Sequence, residues 1–120
     1  MAAKDSIDTY LAALCRADID AIVDIYAEDA TIEDPVGSTP IKGHEAIRAF
    51  YGAALGSITS ATLTGEVREA GNEAAFPFEL RMTYNGTAMV MNIIDTFRFD
   101  DNGKVCAMRA FWSQANMRPA

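Results

Sequence analysis

The chain has 120 residues, enough for one domain with one core; half are hydrophobic and 22% are charged, the balance of an ordinary soluble globular protein. Its 17 acidic residues against 10 Lys and Arg give a net charge of −7 with no basic run, so nucleic acid and anionic membranes are poor partners. Cys15 and Cys106 are too few for a disulfide framework and suit a reduced cytoplasmic setting, while the start, MAAKDSIDTYLAALC, mixes charges with its apolar residues and does not read as a signal peptide.

In chain order, Ile7, Tyr10, Leu11 and Leu14 follow helical spacing, with Asp5 or Ser6 as the cap. Asp18 caps a second short helix whose apolar stripe is Ile19, Ile22, Val23 and Tyr26. A short strand follows from Ala30 to Asp34, closed by Pro35 and Gly37. A third helix starts near His44 and buries Ile47, Phe50, Tyr51 and Ala54. The second half reads as an antiparallel meander: a strand over Ala61 to Ala70, a turn at Gly71-Asn72, then Phe76, Phe78, Leu80, Met82 and Tyr84 alternating on the next strand. Asn85-Gly86 is a strong hairpin signal. A strand from Thr87 to Phe99 follows, and Asp101-Asn102-Gly103 turns into a last strand running through Trp112. Helices first and a sheet afterwards imply a single α+β domain over residues 1–120, its helices covering one sheet face.

One residue breaks this pattern. Side chains two apart on a strand share a face, so Asp95 points with Ile93 and Phe97 toward the interior. A lone carboxylate there is costly to ionise, and a raised pKa with a bound proton is the usual escape. The neutral acid is then a hydrogen-bond donor aimed into apolar space; the alternatives are pairing with a buried donor or a bulge that turns it to solvent. By the same parity Asp34, not Glu33, looks inward, although an Asp that simply opens a turn before Pro and Gly is common. Tyr10, Tyr26 and Tyr51 each lie on a helical apolar stripe, where a core tyrosine with its hydroxyl tied to any acceptor is the simple reading. All three nevertheless face the interior that Asp95 faces, and four potential donors there exceed what a core needs. Phe76, Phe78, Met82, Met108 and Trp112 are core by pattern, and the same residues would line an apolar pocket. His44, the one histidine, reads as a surface or capping residue at a helix start. One His and two distant cysteines make neither a metal cluster nor a Cys-His or Ser-His-Asp set, and no glycine-rich phosphate loop is present.

Together these residues resemble the bacterial steroid Δ5-3-ketosteroid isomerases of the nuclear-transport-factor-2-like (NTF2-like) superfamily. The resemblance runs along essentially the whole chain and is carried by DIYAEDATIEDPVGS, the helix ending AFY, VREAGNEAAFPF, IIDTFRFDDNGKV and MRAFWSQAN. The Tyr10 and Asp95 pair is its specific part. It implies a cone-shaped, curled antiparallel or mixed sheet packed against three helices of the N-terminal half. It also implies Asp34 as general base, Tyr10 and Asp95 as oxyanion-hole donors, Tyr51 and then Tyr26 as the network behind Tyr10, and Phe50, Phe76, Phe78, Met82, Met108 and Trp112 as the steroid pocket. No cofactor or metal is implied, and a cytoplasmic homodimer is. The reaction implied moves a β,γ double bond of a 3-oxo-Δ5-steroid into conjugation through a dienolate. Ketosteroid isomerases are themselves a known case of two carboxyl groups held in opposite protonation states. Two rivals share the fold: a polyketide-cyclase-type enzyme acting on another ketone, and a non-catalytic protein binding an apolar ligand. An epoxide-hydrolase-like member needs an inward Arg between two acids, whereas Arg81, Arg98 and Arg109 fall on the outward parity.

Overall fold

The structure, a computed structural model, describes residues 3–120. Helix α1 (Ala3–Arg16) buries Ile7, Tyr10, Leu11 and Leu14, the i, i+3, i+4, i+7 stripe of a helix packed on one side. It already includes Asp5 and Ser6, so neither is its cap; Ser6 instead turns into the core. The helix ends where Ala17 takes a positive φ of 56° and Asp18 N–H reaches back to the Ala13 carbonyl at 3.0 Å. Asp18 then caps α2 (Ile19–Ile25), its carboxylate accepting from Ala21 N–H. Tyr26 is buried as expected but opens β1 (Tyr26–Glu33) rather than closing a helix, so this strand begins earlier than Ala30. A two-residue strand β2 (Ile41–Lys42), which has no sequence pattern of its own, pairs with β1 ahead of α3 (His44–Ala54).

The expected strand from Ala61 to Ala70 is two pieces, β3 (Ile58–Leu63) and β4 (Arg68–Ala70), separated around Gly65. Both pair with the same partner, β5 (Glu73–Tyr84). The Asn85-Gly86 turn has φ of 50° and 78°, the doubly left-handed geometry that matches strand twist, and joins β5 to β6 (Thr87–Phe99). Strand β7 (Val105–Phe111) follows, and a short 3-10 turn capped by Ser113 leads to β8 (Met117–Pro119), a strand the sequence pattern does not announce. The sheet order is β2-β1-β7-β6-β5-β3, with β4 continuing along β5 and β8 along β6. It is mixed, because β1 runs parallel to β7 while the other pairs are antiparallel. This is the expected α+β architecture of three helices on a curled sheet.

The core lies between helices and sheet. Phe97 is fully buried at its centre, with the rings of Tyr10, Phe76 and Tyr26 5.0–6.2 Å away, edge-on as aromatic quadrupoles favour. The opposite sheet face leaves Ile94 and Phe111 exposed.

Candidate active site

Helices α1 and α3 and strands β3, β5, β6 and β8 line an apolar cavity with two compartments. The inner one, about 90 Å³, is walled by Phe50, Ala54, Phe78 and Ile93, with Tyr10, Tyr51 and Asp95 at its end. The outer one, about 220 Å³, is walled by Leu80, Met82, Met91 and Met117 and opens beside Tyr84. Asp34 borders both. A larger cleft near Glu69, Glu73 and Asp100 is polar and is bordered by none of Tyr10, Asp34, Tyr51 and Asp95.

Tyr10 comes from α1, Tyr51 from α3 and Tyr26 from the start of β1, three elements brought together only by the fold. The Tyr51 hydroxyl lies 3.1 Å from that of Tyr10 and 2.7 Å from that of Tyr26, forming a buried chain of three. Burial, above all, pushes each phenol well above its ordinary pKa, so all three stay neutral across the usable pH range.

Asp95 is 2% exposed, where the strand parity puts it. Its cross-strand neighbours are Phe76 and Ala110, whose side chains offer no hydrogen bond, and no cation pairs with it among the described residues. Burial first, and the charge of Asp34 second, drive its pKa well above the carboxylate range; the Tyr10 hydroxyl pulls more weakly the other way. Burial thus favours the protonated form of Asp95, the form that has an O–H to donate.

Asp34 follows the last residue of β1 and is held differently. The Trp112 indole N–H donates to its Oδ1 at 2.7 Å. Burial raises its pKa, and the Trp112 hydrogen bond opposes the rise, so this carboxyl ionises more readily than Asp95. The chain just beyond Asp34 is pinned on both sides. Val36 N–H donates to the Ala110 carbonyl at 2.8 Å, and the outward Glu33 accepts from Gly37 N–H at 2.8 Å and from Arg109 Nε at 3.1 Å. Adjacent acids thus have opposite environments: Gly37 N–H, chiefly, and Arg109 hold the outward Glu33 below its ordinary pKa, while Asp34 is raised.

Most of the expected site residues meet here, with two exceptions. Phe50, Phe78, Met82 and Trp112 border the cavity, but Phe76 and Met108 do not. Those two are closed into the core beneath it, Phe76 against the rings of Tyr10, Phe78 and Phe97. Sequence pattern did not reveal that Trp112 holds Asp34. That contact depends on parallel pairing of Glu33 with Arg109, a register between distant segments with no local signal. It also missed Met117, delivered by β8, as a wall of the outer compartment. Arg81, Arg98 and Arg109 are exposed as expected, and none borders the cavity. His44 sits at the start of α3 with Nε2 2.8 Å from the Tyr26 carbonyl, away from the cavity. Among the described residues no helix is long and apolar enough to cross a membrane.

Known proteins resemble this chain in sequence and fold. Residues 7–108 match the SnoaL-like domain family. A steroid Δ-isomerase of Nocardioides simplex is 39% identical over 114 residues, covering 95% of this chain and 92% of that protein. The solved structure of SalBIII, an epoxide hydrolase/cyclase-like enzyme with a role in pyran ring formation in the polyether salinomycin, superposes with a TM-score of 0.90 at 28% identity, covering 98% of this chain and 95% of that one. The chain is a SnoaL-like member of the NTF2-like superfamily, related over nearly its whole length to a bacterial steroid Δ-isomerase.

Proposed function

We propose that this protein is a steroid Δ5-isomerase that moves the β,γ double bond of a 3-oxo-Δ5-steroid to the conjugated Δ4 position without cofactor or metal. The observation that carries the reading is one cavity bordered by two carboxyl groups in unlike settings: Asp34, indole-bound at the junction of the compartments, and Asp95, fully buried beside Tyr10.

The chemistry follows from those settings. Asp34, ionised, takes the proton α to the ketone, and negative charge moves onto the ketone oxygen as a dienolate. Tyr10 and neutral Asp95 donate to that oxygen, and Tyr51, with Tyr26 behind it, supports the Tyr10 hydroxyl. Asp34 then returns the proton to the γ carbon. No net proton or electron is exchanged with the surroundings. Loss of one oxyanion donor costs roughly 3–4 kcal/mol, a rate factor of about 10² to 10³. A positioned general base supplies about 10² to 10⁴. The apolar walls exclude water, which strengthens the hydrogen bonds to the developing charge.

The same reading includes a cytoplasmic homodimer, for which exposed Ile94 and Phe111 on the outer sheet face supply an apolar contact. The rival is a cyclase acting on another ketone, favoured by the likeness to SalBIII. The test is turnover of a β,γ-unsaturated 3-ketosteroid, followed by growth of conjugated-enone ultraviolet absorbance. Conversion by the wild type, reduced at least about 10²-fold in Asp34→Asn, is expected. Steroid binding without conversion would favour a non-catalytic role, and conversion only of other ketones would favour the cyclase reading.

A further inference from the structure

Tyr84 has no part in the chemistry above, yet it stands at the outer limit of the cavity. It is the last member of an inward row on β5 that begins with Phe76 and runs through Phe78, Leu80 and Met82. Exposure rises along that row from 0% at Phe76 to 54% at Tyr84, so the row charts a path from closed core to open mouth. Phe78 and Leu80 wall the inner compartment; Leu80, Met82 and Tyr84 wall the outer one. Tyr84 closes the strand just before the Asn85-Gly86 turn, where it pairs with Thr87.

The outer compartment is otherwise short of polar side chains. Its lining is Asp34, Trp112 and Tyr84 among aliphatic residues and methionines. The Trp112 N–H is bound to Asp34, which is itself the base. Among the described residues, the Tyr84 hydroxyl is therefore the one side-chain hydrogen-bonding group of that compartment not already committed. A flat polycyclic ligand with its ketone at Tyr10 and Asp95 in the inner compartment, if it passes Asp34, which borders both, extends into the outer compartment that Tyr84 walls.

We propose that Tyr84 is a specificity-determining residue: its ring walls the outer end of the pocket and its hydroxyl binds an oxygen substituent on the ring remote from the reacting ketone. The inference rests on the isomerase reading and names the substrate feature that this end of the pocket selects.

The experiment compares two β,γ-unsaturated 3-ketosteroids, one with an oxygen on its terminal ring and its deoxy counterpart, using wild type, Tyr84→Phe and Tyr84→Ala. Deleting the hydroxyl removes one partly solvated hydrogen bond, so Tyr84→Phe raises KM for the oxygenated steroid by about two- to five-fold. The wild-type preference between the two ligands then falls toward unity, and the loss falls in KM rather than kcat. Tyr84→Ala, which also removes the ring, raises KM for both. An unchanged preference ratio in Tyr84→Phe overturns the inference, as does a loss confined to kcat, which would place Tyr84 at the reacting atoms. Wild type that converts neither ligand overturns the isomerase reading itself, an outcome separate from variants that match an active wild type.

Discussion

Replacing Asp95 with Asn tests whether this carboxyl is neutral in the folded protein, through stability rather than rate. The side chain is 2% exposed, has no cation paired with it among the described residues, and its pKa is raised first by burial and then by the charge of Asp34. In the unfolded chain it titrates near the ordinary Asp value, about 3.9. Above that pH the unfolded state releases a proton that the native state keeps, so stability falls as pH rises, up to the raised native pKa. The slope from this one group reaches about 1.4 kcal/mol per pH unit. Asn does not titrate, so Asp95→Asn lacks this slope. Urea unfolding of both proteins between pH 4 and pH 7 measures the difference directly, because contributions from the other acids largely cancel. The variant is expected to gain on the wild type steadily as pH rises above the ordinary Asp value. Two stability curves that stay parallel across this range would mean that Asp95 is ionised in the native protein, and the assignment of a neutral donor would be wrong.

Three further outcomes are expected. Asp95→Leu should lose more activity than Asp95→Asn, by up to about 10²- to 10³-fold, since only the amide keeps a donor; equal kcat values would count against direct donation. Trp112→Phe removes the hydrogen bond that holds Asp34 down, so the acidic limb of the kcat/KM–pH profile should move to higher pH; a fixed or lowered limb would show that the indole does not tune the base. Tyr51→Phe removes the hydroxyl that links Tyr10 to Tyr26 but leaves Tyr10 in place. Its kcat should fall about 5- to 30-fold, less than for Tyr10→Phe, and a loss as large as that variant's would mean that Tyr51 itself meets the substrate.

Local pattern carried far in this chain where a residue's fate depends on its own neighbours. Asp95 was legible because Ile93 and Phe97 fix the parity of its strand, and the Asn85-Gly86 turn because few other residues accept two positive φ angles. The inward Asp34 and outward Glu33 followed from the same alternation. What stayed hidden depends on distant pairings. β8 has three residues and takes its place from the free edge of β6, and Trp112 reaches Asp34 only once β1 lies parallel to β7. Phe76 and Phe78 share a strand face, yet one is closed into the core and the other borders the cavity. Alternation names the face and not the depth. The break of the strand at Gly65 and the early start of α1 are boundary effects, where the hydrophobic period is weakest as a guide.

The central claim is that one carboxylate, Asp34, takes a proton from the α carbon and hands it to the γ carbon. The most direct measurement is the fate of deuterium placed at the α carbon of a β,γ-unsaturated 3-ketosteroid converted in ordinary water. Retention of label at the γ carbon of the conjugated product, in wild type and not in residual Asp34→Asn turnover, is the expected result. Complete loss of the label to solvent at single turnover would contradict a base that holds its proton inside a water-excluding cavity.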